Sequence, residues 1–208
     1  MSVTLALVTC GPQLEVCLHG PQMKIASVVR LGGVAPRSTL LLAAVDLLVE
    51  DAQIDRREIS LVAVTRGPGS FTGIRSGLAT ASGLRAALGA RILACDSLPA
   101  QAMRVNLDNE VWAAQPGRKG EVYAQCFRVR PGTIPEPLTE VEILPVKDLG
   151  DRGPWVAAGA LNLGDALRVD MARTTAEALV EMAGLGLSTK AMEPLYVEGP
   201  PIHGGGKQ

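Results

Sequence analysis

The sequence predicts an α/β protein, on three observations. Apolar runs of strand length alternate with helical patterns over residues 3–95 in the order β-β-β-α-β-α-β. A glycine-rich turn, GPGSFTG, joins one such run to a long helical pattern within Val62–Leu88. After residue 106 the chain resets to a second set of strands. At 208 residues it has the length for one large domain or two small lobes.

The elements follow in order. Val3–Val8 reads as a strand, Thr9-Cys10-Gly11-Pro12 as a turn and Leu14–Leu18 as a second strand. His19-Gly20-Pro21 turns the chain into a third strand over Lys24–Leu31, which makes an antiparallel meander. After a loop over Gly32–Arg37, Ser38 is placed to cap a helix over Thr39–Glu50, with Leu41, Val45 and Leu48 on one face. Asp51–Arg57 breaks the pattern, and Ile59–Thr65 returns as a strand. In the turn that follows, Gly67 and Gly69 permit positive φ, Pro68 fixes its own, and Ser70 or Thr72 supplies an N-cap hydroxyl. Ile74, Leu78, Ala81, Leu84 and Leu88 then recur on one helical face, beside small residues at Gly73, Gly77 and Ala81. An interior glycine costs a helix about 1 kcal/mol against alanine, and close backbone approach is the usual return. Gly89 stops the helix, and Arg91–Cys95 is a short strand. Ser97–Asn106 reads as a helix capped by Asp96 or Ser97. Strands are expected at Val111–Ala114, Glu121–Val129, Thr139–Leu144 and Trp155–Gly159. Gln115–Gly120 is a turn and Pro131–Pro137 a proline-rich loop. Thr175–Leu185 is a helix capped by Thr174 or Thr175, with Ala176, Leu179, Val180 and Met182 or Ala183 inward. The tail from Gly199, rich in glycine and proline, is expected to fray.

Composition narrows the function. Apolar residues are 47% and charged residues 20%, as in ordinary soluble proteins, while 3% aromatics leave a core of Leu, Val, Ile and Ala. A net charge of −1 argues against gripping nucleic acid alone through a broad basic face. Cys10, Cys17, Cys95 and Cys126 show no CxxC spacing, and His19 and His203 are the only histidines, so no zinc or other metal site is expected. Buried reduced thiols and the lack of a signal peptide before Val3 point to the cytoplasm. No run reaches the roughly 18 apolar residues of a membrane span.

The turn invites a phosphate-loop reading, with Gly67, Gly69, Ser70, Thr72 and Gly73 as the cradle ahead of a helix. It fails both specific signatures. No lysine sits near Gly73 as a Walker A loop needs, and the glycine spacing is GxGxxxG on the fourth strand rather than GxGxxG on the first. A packing turn is the better reading. Ser70 lies outside any GxSxG elbow, and a catalytic triad is not supported. Asp46, Glu50, Asp51, Asp96 and Glu121 carry no diagnostic spacing and read as solvated carboxylates.

The string AVTRGPGSFTGIRSGLATASGL, followed by RAALGARILACDSLPAQA, closely resembles the TsaB (YeaZ) family of bacterial tRNA threonylcarbamoyladenosine biosynthesis proteins. The helix RSTLLLAAVDLLVEDAQI, the hairpin RKGEVYAQCF and the closing EPLYVEGP extend the match over nearly the whole chain. The resemblance implies an α/β fold of two lobes of the actin, sugar-kinase and Hsp70-like (ribonuclease H-like) type, mixed sheets with an antiparallel meander and crossover helices. On this sequence the lobes become residues 1–100 and 101–198, with a flexible tail over 199–208. It implies a non-catalytic, glycoprotease-like subunit for N6-threonylcarbamoyladenosine formation beside the anticodon of ANN-reading tRNAs. Such a subunit binds a TsaD-type catalytic subunit, pairs with itself, joins a TsaE-type ATPase and meets tRNA only through the complex. ATP and metal then belong to the partner subunits, and this chain alone binds no cofactor.

The chain departs from the family's polar pattern at three places. Val8 stands where the first strand usually ends in Asp, Arg37 precedes Ser38 where a His is frequent, and Pro116 precedes Gly117 and Arg118 where an acid is frequent. Each loss moves the chain away from self-sufficient catalysis. The resemblance also places a partner interface on the small-residue helix and its neighbour: Leu41, Val45, Leu48, Gly73, Ile74, Gly77, Leu78, Ala81 and Leu84. On that reading Gly77→Leu blocks pairing and leaves the chain folded. The competing reading is that the stripe packs only on its own sheet. An independent ATP-binding enzyme of the same fold is the alternative function, and Val8 argues against it. A peptidase has no HxxxH and no Ser/His/Asp set to work with.

Overall fold

The computed structural model describes residues 3–24, 26–33, 37–158 and 161–197. β1 (Val3–Val8), β2 (Leu14–His19) and β3 (Ser27–Leu31) form an antiparallel meander. β4 (Ile59–Thr65) pairs in parallel with β1, and β5 (Arg91–Cys95) in parallel with β4, so the first sheet has the order β3-β2-β1-β4-β5. β1 is buried at all six positions, which explains why it reads as an apolar run instead of an alternation. Leu5, Leu7, Val62 and Val64 face α1 (Arg37–Asp51) and α2 (Phe71–Leu88). Ala6, Val8, Leu61 and Ala63 point to the other face, where α4 (Thr175–Gly184) returns to pack Ala176, Leu179 and Met182 on them.

The second sheet comprises β6 (Asn109–Pro116), β7 (Glu121–Val129), β8 (Glu136–Pro137), β9 (Glu142–Pro145) and β10 (Trp155–Ala157). Its order is β10-β6-β7-β8, with β9 also on β7. α3 (Ser97–Ala102) leads from the first sheet to the second and sets Leu98 and Ala102 on Val111, Ala113 and Phe127. The opposite face is closed by Leu149, Leu163 and Ala166 against Ala114, Val122 and Trp155. The α/β class and the β-β-β-α-β-α-β order of the first lobe agree with the sequence reading.

Several boundaries differ, each for a local reason. α1 starts at Arg37, so Ser38 falls inside its first turn instead of ahead of it. A 3-10 turn at Arg56–Glu58 occupies the expected break, held by a capping box on Asp55. α3 stops at Ala102, four residues early, because Arg104 turns inward and donates from Nε to the Arg173 carbonyl at 3.2 Å. Asp96 makes no capping bond there and pairs with Arg66 instead. β6 extends to Asn109 and Pro116 because β7 pairs with it along its whole length, from Val129 to Val122. Glu136 and Pro137, expected in a loop, form the short β8 on β7. β9 is displaced to Glu142–Pro145 by its pairing of Leu144 with Val122, and β3 begins only at Ser27. In α4, capped by Thr174, Ala178 is inward and Val180 only half-buried. Gly159 and the tail from Gly199 lie outside the described residues.

Candidate functional site

The glycine-rich turn is built by backbone crowding. Gly67 and Gly69 have φ of 117° and 145°, and the Gly67–Pro68 peptide is cis. A Cβ on Gly69 would overlap the Cys10 carbonyl, and one on Gly67 the Leu195 carbonyl. Only glycine meets both demands. Ser70 Oγ caps α2 by accepting from Gly73 N at 3.2 Å, while Ser70 N donates to the Cys10 carbonyl at 2.8 Å. Ser97 closes the turn from behind, its Oγ donating to the Pro68 carbonyl at 2.6 Å. Of the cradle residues, Gly67 and Gly69 therefore lie against protein backbone, the amides of Ser70 and Gly73 are engaged within the chain, and Thr72 is exposed.

A strap from the end of the described chain holds this turn. Lys190 N donates to the Ala94 carbonyl at 2.9 Å and Leu195 N to the Arg66 carbonyl at 2.7 Å. Arg66 Nε pairs with Asp96 at 2.6 Å. Tyr196 stacks on Phe71 with ring centroids 5.0 Å apart, and Arg75 lies 4.0 Å from the Phe71 centroid while donating to the Tyr196 hydroxyl. The sequence marked EPLYVEGP only as a family segment, and nothing in its spacing announced this contact.

The small-residue stripe faces inward. Leu41, Val45, Leu48, Ile74, Leu78 and Ala81 are all buried in the chain's own core, as are Gly73 and Gly77, and Leu84 is partly buried against it. A Cβ on Gly73 would overlap the Thr9 carbonyl, and one on Gly77 the Thr9 Oγ1. These residues bring α2 onto the β1–β2 turn and cannot present a surface to a partner. The expected interface set is corrected accordingly, and with it the expectation that Gly77→Leu would leave the chain folded. What α1 and α2 do present is their opposite side. Leu42 and Leu47 are 53% and 57% exposed, and α2 adds exposed Ala79, Gly83 and Ala86. The available signal was the run LLLAAVDLL, in which Leu42 and Leu47 fall outside the face set by Leu41, Val45 and Leu48 and flank Asp46.

Several buried polar groups near the first sheet are paired within the chain. Glu15, 3% exposed, accepts from Ala176 N at 3.1 Å at the start of α4 and lies 3.4 Å from Arg30. Burial lowers the pKa of Arg104, which sits beside Gln101. Val8 is 2% exposed within an apolar cluster, so the end of β1 holds no acid. Among the described residues no group of three or more His, Cys, Asp or Glu is placed to hold a metal, and no helix is long and apolar enough to cross a membrane. All four cysteines are buried, and burial pushes the Cys17 and Cys95 thiols up to about 12. Asp46, one of the solvated carboxylates, pairs with Arg56 at 3.0 Å on the surface.

A two-sheet fold, a capped glycine-rich turn and a paired outer helix layer define the class. Residues 22–195 match the family model described as TsaD: tRNA N6-adenosine threonylcarbamoyltransferase, and the chain belongs to this family. Within it the likeness is to TsaB and YeaZ. The chain is 27% identical over 108 residues to the tRNA threonylcarbamoyladenosine biosynthesis protein TsaB of Bacillus subtilis (strain 168), a stretch covering 51% of this chain. That match spans about half of the relative, 47% of its length. YeaZ from Pseudomonas aeruginosa superposes with a TM-score of 0.72 at 26% identity, over 95% of this chain and 100% of that one. A structure described as an uncharacterized protein with similarity to peptidase YEAZ from Pseudomonas aeruginosa shares the fold, with a TM-score of 0.75 at 23% identity and the same coverage.

Proposed function

We propose that this chain is a non-catalytic partner subunit for N6-threonylcarbamoyladenosine formation on ANN-reading tRNAs in the cytoplasm, acting by binding a TsaD-type catalytic subunit. The observation that carries the pairing is the exposed apolar side of α1 and α2. Leu42 and Leu47 of α1 stand in solvent, and α2 adds exposed Ala79, Gly83 and Ala86, small enough for a second helix to approach closely. The same face serves for self-pairing when the catalytic subunit is absent. A TsaE-type ATPase and tRNA join through the complex. ATP and metal are held by the partner subunits, in keeping with the buried Val8 at the end of β1.

The test is genetic and chemical. Depleting the protein in its own organism and measuring tRNA nucleosides by mass spectrometry should show loss of N6-threonylcarbamoyladenosine, restored by re-expression. Undiminished modified nucleoside would sink the proposal. Tight Mg-ATP binding and turnover by the isolated chain would replace it with an ATP-using enzyme of the same fold.

A further inference from the structure

β5 is an edge strand, and only half of its edge is covered. Ala94 N donates to Thr189 Oγ1 at 3.0 Å, and the Ala94 carbonyl accepts from Lys190 N at 2.9 Å. Both Ala94 groups therefore point away from β4. By the two-residue period of a strand, the N–H and carbonyl of Ile92 point the same way. No described residue bonds them. A groove of about 700 Å³ opens at this place, between the end of α2 and the end of α4. Its floor includes Leu61, Leu93 and Leu187, and its rim carries Arg85 and Arg91, both exposed. Among the described residues no carboxylate lines it.

We propose that the open edge of β5 receives an extended, acidic peptide segment of another protein as a sixth strand. The segment continues the line that residues 189 and 190 already follow along Ala94. Main-chain bonds to Ile92 fix its register, apolar side chains enter over Leu61, Leu93 and Leu187, and carboxylates meet Arg85 and Arg91. An RNA phosphate chain would engage the two arginines but leave the strand edge and the apolar floor unmatched, which favours peptide. This surface is built on β5 and shares only the Arg85 end of α2 with the face proposed for pairing, so its test does not require that pairing.

The probe is a fluorescein-labelled, end-blocked heptapeptide of alternating glutamate and valine, titrated with the full chain and followed by anisotropy. Saturable binding is expected. The variant carrying Arg85→Glu and Arg91→Glu should weaken it at least about tenfold, and lysine in place of glutamate should abolish it. Ile92→Pro, which removes the outward N–H at the edge and fixes φ at Ile92, should weaken it as much. Should that variant fail to fold, the same peptide with alternate backbone amides N-methylated tests the strand pairing, and loss of binding supports it. No saturation up to about 1 mM, a weak interaction even for a single peptide, overturns the proposal. So does equal binding of the lysine peptide, or arginine-dependent binding of oligouridylate without binding of the glutamate peptide.

Discussion

The glycines of α2 do opposite things although they share a helix. Gly73 leaves no room for a methyl group against the Thr9 carbonyl, whereas Gly83 has nothing within 4 Å of where a Cβ would stand. Gly73→Ala should therefore destabilise by roughly 1–3 kcal/mol, the range for overpacking against a backbone that cannot yield. Gly83→Ala should stabilise by about 1 kcal/mol through helix propensity alone. Urea unfolding of the two variants separates these outcomes, and equal shifts would refute the assignment. The buried thiols make a second prediction. Cys17 and Cys95 titrate near 9.0 when exposed and at about 12 in the fold, so between those values the folded state keeps protons that the unfolded chain loses. Stability contributed by these groups is complete below 9.0 and falls as pH rises toward 12. The urea midpoint should decline across that window, and less steeply in a Cys17→Ala, Cys95→Ala variant. The stripe of small residues was legible in the sequence, but its direction was not. Periodicity names a face, and it does not say whether a sheet or a second protein lies against it.

Single elements were most readable where they carry their own punctuation. β1, β4, β5 and β7 have the predicted bounds, and α2 begins after its Ser70 cap and ends at Gly89, whose φ of 69° suits glycine. Elements whose length is set by a distant partner were less readable. β6 is as long as β7 makes it, β8 forms from a proline-rich stretch because β7 offers an edge, and α3 ends where Arg104 is drawn inward. α4 illustrates how a local cap serves a distant surface. Thr174 Oγ1 accepts from Glu177 N at 3.1 Å and Thr174 N donates to the Glu177 carboxylate at 2.7 Å, while the helix they start covers the middle of the first sheet. Thr174→Ala should cost about 1 kcal/mol. Hydrogen exchange should quicken first at the amides of Ala178–Met182, and unchanged protection there would show that tertiary packing alone orders the helix.

For the whole molecule, local patterns announced the first sheet and, after residue 106, a second set of strands, while their grouping into two lobes came from family resemblance. The return of α4 from the far end of the chain onto the first sheet has no signature in its own residues. The expected interface residues Leu41, Val45 and Leu48 are buried in the chain's own core, and burial alone distinguishes them from Leu42 and Leu47 of the same run. A stable specific interface buries about 1,600 Å², so on the proposed pairing two charges introduced at Leu42 and Leu47 would fall inside it and should disrupt it. The most direct measurement is light scattering after size exclusion on the chain mixed with the TsaD-type subunit of the same organism. The wild-type chain should elute as a heterodimer. A Leu42→Arg, Leu47→Arg variant with the wild-type unfolding transition should elute separately from that subunit. Undiminished heterodimer formation by the double variant would contradict the account.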